Sequence, residues 1–150
     1  MAKNNILSLT GFDDLLNDIE KAQGSAAQAA AEAVKEGADE YKKQLTAAAN
    51  AADVPADLVN KIQKTVKVKN DFVSARVGWS VPAYDAKHPA DAFKVIFLNY
   101  GTPRRTTRSG ANRGKINPRG FIGKAKRAAR SKIKKAQENA LKKILGDLAE

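Results

Sequence analysis

The residues able to do acid-base or nucleophilic chemistry are few and scattered. His88 is the only histidine and lies in a Lys-His-Pro context with no partner near it in sequence, so it reads as an ordinary surface residue. Cysteine is absent, which rules out disulfides and thiolate metal sites and leaves one imidazole, too little for a metal cradle. The paired acids Asp13-Asp14 and Asp39-Glu40 fall in helical stretches, where neighbours in sequence point in different directions and serve capping or solvation. Gly110 to Gly114 has no strand before it and no helix directly after it, as a phosphate cradle requires. The serines and threonines around it have no histidine to activate them. The chain is therefore read as a non-enzyme, with no cofactor and no bound metal.

The residue type that is concentrated is the cation. Of 27 Lys and Arg, 13 lie between Gly101 and Lys135, where there is no Asp or Glu; the other 14 are offset by all 16 acids. A segregated block of this kind points to a polyanion or an acidic protein surface as neighbour. A solvated charge run is the plain alternative. Arg104, Arg105, Arg108, Arg113, Lys115 and Arg119 form the loop part of the block, facing DNA or a partner; Lys124, Arg127 and Arg130 continue it onto a helix expected to form an interface.

The elements that carry these cations follow from periodicity. At 150 residues the chain suits one domain, residues 1–150. The lack of cysteine is compatible with a reducing cytosol, and the sequence has neither a signal peptide nor a stretch fit to cross a membrane. Residues 10–52 read as a helical region opening at Thr10 or Asp13, interrupted at Gly24-Ser25 and continued by an alanine-rich stretch, Ala26 to Ala52. That second helix has few large side chains; either it lies on a sheet as a surface helix or a neighbouring subunit completes its packing. A short helix from Pro55 to Lys61 follows. Val66 and Val68, then Val73, Ala75, Val77 and Trp79, alternate with polar residues and make a β-hairpin. Residues 81–92 read as a loop, and Phe93 to Leu98, apolar on both sides, reads as a central strand, so that 64–100 forms the sheet. Residues 101–120 are a basic loop. Residues 121–149 form a C-terminal helix whose apolar face runs through Ile122, Ala125, Ala129, Ile133, Ala140, Ile144 and Leu148. The fold class is α+β: a small antiparallel sheet packed by an N-terminal helical region and a long C-terminal helix, with a long basic loop.

The order of these stretches resembles the head-tail joining and tail-completion proteins of long-tailed bacteriophages. The resemblance rests on Leu9-Thr10-Gly11-Phe12-Asp13-Asp14-Leu15-Leu16, on Phe97-Leu98-Asn99-Tyr100-Gly101-Thr102, and on Asn117-Pro118-Arg119-Gly120-Phe121-Ile122-Gly123-Lys124-Ala125, and covers nearly the whole chain. It implies a structural virion protein of the neck or tail, made in the host cytoplasm. As a homo-oligomer, commonly of six copies, it would form a ring that joins or completes the tail around the DNA channel, beside tail-tube and connector proteins. The competing reading is a free-standing basic nucleic-acid-binding module.

Five further expectations follow from the residues. Gly101 should need a positive φ or a close backbone approach. Trp79 should be core rather than a base-stacking platform, while Tyr100 either anchors the loop or presents its ring at an interface. Thr102 to Arg119 has almost nothing apolar to bury and should become ordered only against a partner. Assembly should proceed through the sheet edge and the C-terminal helix.

Overall fold

A computed structural model of the chain describes residues 12–21, 25–69, 72–80 and 91–149. The fold is α+β, and the described residues form five helices and one two-stranded sheet: α1 (Phe12–Lys21), α2 (Ala26–Ala51), α3 (Ala56–Val59), β1 (Gln63–Lys69), β2 (Phe72–Gly78), α4 (Asp91–Tyr100) and α5 (Phe121–Ala149). Thr10, His88 and the 81–90 part of the expected loop lie outside the described residues.

Two long helices set the frame. Ser25 begins α2 by accepting from the Gln28 backbone N–H at 3.3 Å, the usual service of a short hydroxyl at a helix start. Helix α2 would extend about 39 Å and α5 about 43 Å at 1.5 Å per residue. They pack antiparallel: Leu45 and Ala49 near the end of α2 meet Phe121 and Ala125 at the start of α5, while Ala29 and Ala33 meet Leu141. The buried stripe of α2 is Ala29, Ala33, Gly37, Ala38, Leu45 and Ala49, small enough for the two backbones to approach closely. Thus α2 is the central spine, with α5 along one side and the hairpin against another. It does lie against the sheet, as one of the two readings had it, and its thinness also serves contact with α5.

Two cores form at the ends of this pair. At one end Ile19 of α1 closes on Ala29, Ala33 and Leu141. At the other, Leu58, Val59 and Ile62 of the α3 region join Val95 of α4, Phe121 and Ala125. Trp79 belongs to this second core: its indole N–H donates to the Leu58 carbonyl at 2.7 Å, and its ring meets Phe121 edge-on at 6.3 Å between centroids.

The hairpin pairs antiparallel from Gln63↔Gly78 to Lys69↔Phe72. Its inward side carries Lys64, Val66, Val73, Ala75 and Val77, and Lys64 forms an ion pair with Asp39 of α2. The expected third strand is not there. Phe93 to Leu98 lies in α4, so the sheet occupies 63–78 and does not reach 100. The apolar run fits a helix because Ala92, Val95 and Asn99 are the buried positions, at three- and four-residue spacing. Asp91 in the first turn suits the helix dipole. A helix also satisfies its own backbone polar groups, whereas a strand would have had to find a partner.

Candidate functional site

The cationic arm is built on the junction of α4 and α5. Gly101 follows α4, its N–H donating to the Phe97 carbonyl at 2.8 Å, and it takes φ +77, the left-handed turn favoured just after a helix. A Cβ there would lie 2.7 Å from the Ile116 carbonyl oxygen and 2.9 Å from the Pro118 ring. Both reasons expected for glycine hold, although the element it ends is a helix instead of a strand.

From this point residues 102–118 turn back on themselves. Thr102 N–H donates to the Ile116 carbonyl at 2.9 Å, Arg105 N–H to Gly114 at 3.0 Å, and Arg113 N–H to Arg105 at 2.7 Å. Thr102 Oγ1 accepts from the Ile116 N–H. The turn is closed by Thr107, whose carbonyl accepts from Gly110 and whose hydroxyl accepts from Ala111, with Asn112 Oδ1 bracing the Gly114 N–H at 2.8 Å. The loop expected to take shape only against a partner thus has a ladder of its own, because backbone groups and short polar side chains do what apolar anchoring does not.

The arm projects Arg104, Arg105, Arg108, Arg113 and Lys115, all exposed. Among the described residues none of the five forms an ion pair; Arg104 only brushes Asn112 Oδ1 at 3.4 Å. Lys124, Arg127 and Arg130 are also exposed, on the outer side of α5. Four arginines in the arm favour planar, two-pronged contact with phosphate or carboxylate.

Arg119 is placed differently. Its guanidinium donates to the Ala52 carbonyl at 2.8 Å and to that of Asp53, closing the carbonyl end of α2. It is a structural clamp, removed from the partner-facing set by the geometry of α2's last turn. Asn99, a residue the sequence pattern did not single out, is 4% exposed, and its Oδ1 accepts from the Ile122 N–H at 2.9 Å. It caps α5 from α4, and the Gly120 N–H donates to its carbonyl at 3.0 Å. Its place two residues before Gly101, with Tyr100 between them, gave no distinct signal of this role. Asn99→Ala should lower stability by about 1–2 kcal/mol, the cost of a lost helix cap, with Asn99→Asp retaining most of it; equal melting temperatures for Asn99→Ala and the parent would refute the capping role.

Beside the arm, α4 turns Ile96, Phe97 and Tyr100 outward, 45%, 47% and 70% exposed. Tyr100 therefore presents its ring on this side and does not anchor the loop. At the base of α4 the Asp91 carboxylate takes a 2.7 Å contact from Lys61 and a 3.2 Å contact from Lys94. The hydrogen bond from Lys61, then that from Lys94, holds its carboxyl below the ordinary carboxylate value. The acids Asp39 and Glu40 are engaged separately, by Lys64 and by the Gln44 amide.

Among the described residues no cluster of three or more His, Cys, Asp or Glu is placed to hold a metal, and no helix is long and apolar enough to cross a membrane. The chain matches no family model, no curated protein and no solved structure.

Proposed function

We propose that this chain is a structural ring subunit of a tailed-phage neck or tail end, with its basic arm turned toward the DNA channel or toward an acidic ring beside it. The observation that carries the reading is the apolar row Ile96, Phe97 and Tyr100 at the foot of the arm. Three large side chains on adjacent turns of one helix, rimmed by charge, form the kind of patch that a neighbouring subunit covers. A second apolar pair, Val68 and Phe72, is exposed at the hairpin end at 58% and 62%. Two different patches on one chain suit a head-to-tail contact, the type that closes into rings. The element order resembling neck proteins supports the same assignment.

Electron microscopy of purified virions or tail assemblies is the direct test, with the expected outcome a ring of this protein at the neck or tail end. Absence from purified particles refutes the proposal. At the residue level, Phe97→Asp should leave the melting temperature of the isolated chain close to that of the parent, a change within about 0.5 kcal/mol, as exposed substitutions do, while preventing incorporation into particles.

A free-standing nucleic-acid-binding module remains the second reading, favoured by the five arm cations that have no ion-pair partner among the described residues. It leaves the apolar row of α4 without a purpose.

A further inference from the structure

The arm sets two arginines side by side. Its two limbs run antiparallel through the Thr106↔Asn112 bridge, and the Arg113 N–H donates to the Arg105 carbonyl at 2.7 Å while the Arg105 N–H goes to that of Gly114 at 3.0 Å. Arg105 therefore stands across the ladder from Arg113, where side chains start about 5 Å apart. Alternation along an extended chain puts Arg104 on the other side, where its Nε meets Asn112 Oδ1 at 3.4 Å. Both Arg105 and Arg113 are exposed, and neither forms an ion pair with a described residue.

Like charges directly opposite each other on a ladder are destabilising. An acid beside them in the chain could offset this, but no Asp or Glu occurs between Asp91 and Glu138. The arm is held by backbone rungs and by the side chains of Thr102, Thr107 and Asn112, so neither arginine is needed to shape it. Serine in either place would have kept the ladder and removed the repulsion. Two guanidinium groups held close together on a braced ribbon suit one tetrahedral anion, whose several oxygens match their planar forks. The composition of the arm separates a phosphate backbone from an acidic protein as the source of that anion. From Arg104 to Gly114 the only apolar side chain is that of Ala111, whereas the centre of a protein-protein interface is apolar and rich in aromatic residues. Contact with a nucleic-acid backbone has no such need: it uses arginine, hydroxyl and amide groups, and Thr106, Ser109 and Asn112 stand exposed among the cations.

We infer that Arg105 and Arg113 form a clamp that takes one phosphate of a DNA backbone. This rests on the proposal that the arm is turned toward DNA, and it names the group that the arm takes and the pair that takes it. Arg104, Arg108 and Lys115 then meet separate phosphates. The repulsion between the paired arginines is relieved when the phosphate enters, so the ribbon is built for the bound state.

The test is binding of the isolated full chain to a fluorescein-labelled DNA duplex of random sequence across a salt series, for Arg105→Ser, Arg113→Ser and the double variant. Either single replacement should release the phosphate, weakening binding about tenfold and flattening the log-log salt dependence by about 0.9. The double variant should be no weaker and no flatter than either single, because residues that act as one unit are not additive. Each single variant should melt at the parent's temperature or above it, one of two like charges being gone. Inorganic polyphosphate should compete for the chain better than polyglutamate of equal charge. Effects that add in the double variant, with a salt slope shallower by about 1.8, mean two separate contacts and overturn the clamp, as does a lower melting temperature in both singles. Polyglutamate that competes as well as polyphosphate overturns the phosphate assignment in favour of an acidic protein surface. No DNA binding at low salt overturns the clamp even where microscopy finds the ring, whereas clamp-dependent binding by a chain absent from particles overturns only the ring.

Discussion

Gly101→Val is expected to lower stability by about 3 kcal/mol or more, the largest effect of any single substitution in the arm. Two costs add. A β-branched residue held at φ +77 is strained by about 1–3 kcal/mol. Its Cβ would also lie 2.7 Å from the Ile116 carbonyl oxygen, a backbone atom that moves only if the Thr102–Ile116 rung of the arm opens. For a domain of this size each kcal/mol moves the melting temperature by about 2–4 °C, so thermal unfolding should show a drop of roughly 6–12 °C. Gly101→Asn separates the two causes, since asparagine tolerates the left-handed region but still brings a Cβ: it should fall between glycine and valine. A valine variant that melts with the parent would remove the requirement for glycine.

Replacing Arg104, Arg105 and Arg108 together by serine is expected to abolish most of the arm's affinity for its partner while leaving the fold intact. All three side chains are exposed, and none forms an ion pair with a described residue. If the partner is DNA, binding should show little sequence preference and fall steeply with salt. Each phosphate that is no longer neutralised should flatten the log-log salt dependence by about 0.9, so the triple variant should be shallower by about 3. If the partner is an acidic protein ring, DNA affinity should be slight in both parent and variant, while the titre of infectious particles falls with the three charges. A salt series of DNA binding measured alongside particle assembly distinguishes these outcomes. Unchanged binding together with unchanged titre would make this part of the arm a solvated loop.

Much of the frame was legible in the residue order. Alternation from Val66 to Trp79 marks the hairpin, and the three- and four-residue spacing through Ile122, Ala125 and Ala129 marks α5, because one-sided burial writes its period directly into sequence. Gly101 is legible for a similar reason: a glycine closing an apolar run signals a backbone need. Phe93 to Leu98 reads as a strand and folds as a helix because Ile96 and Phe97, left exposed on α4, erase the helical period. A continuous apolar run carries no period from which to choose.

By itself, the sequence determined the cation block and its separation from the acids, the α+β class, the hairpin, the two long helices and the glycine that launches the arm. These are local or compositional properties, set within one turn or one strand. The tertiary structure decided which cations are available, since Arg119 is consumed by the carbonyls at the end of α2 while Arg104, Arg105 and Arg108 stand free of ion pairs with described residues. It also decided that Asn99 caps a helix from another helix and that Gly37 lies across from Gln137. Each of these joins residues far apart in the chain, or depends on what occupies a neighbouring space. Such pairings leave no period and no spacing in the sequence; they arise when α2 and α5 close against each other and fix which polar groups meet and which remain without a partner.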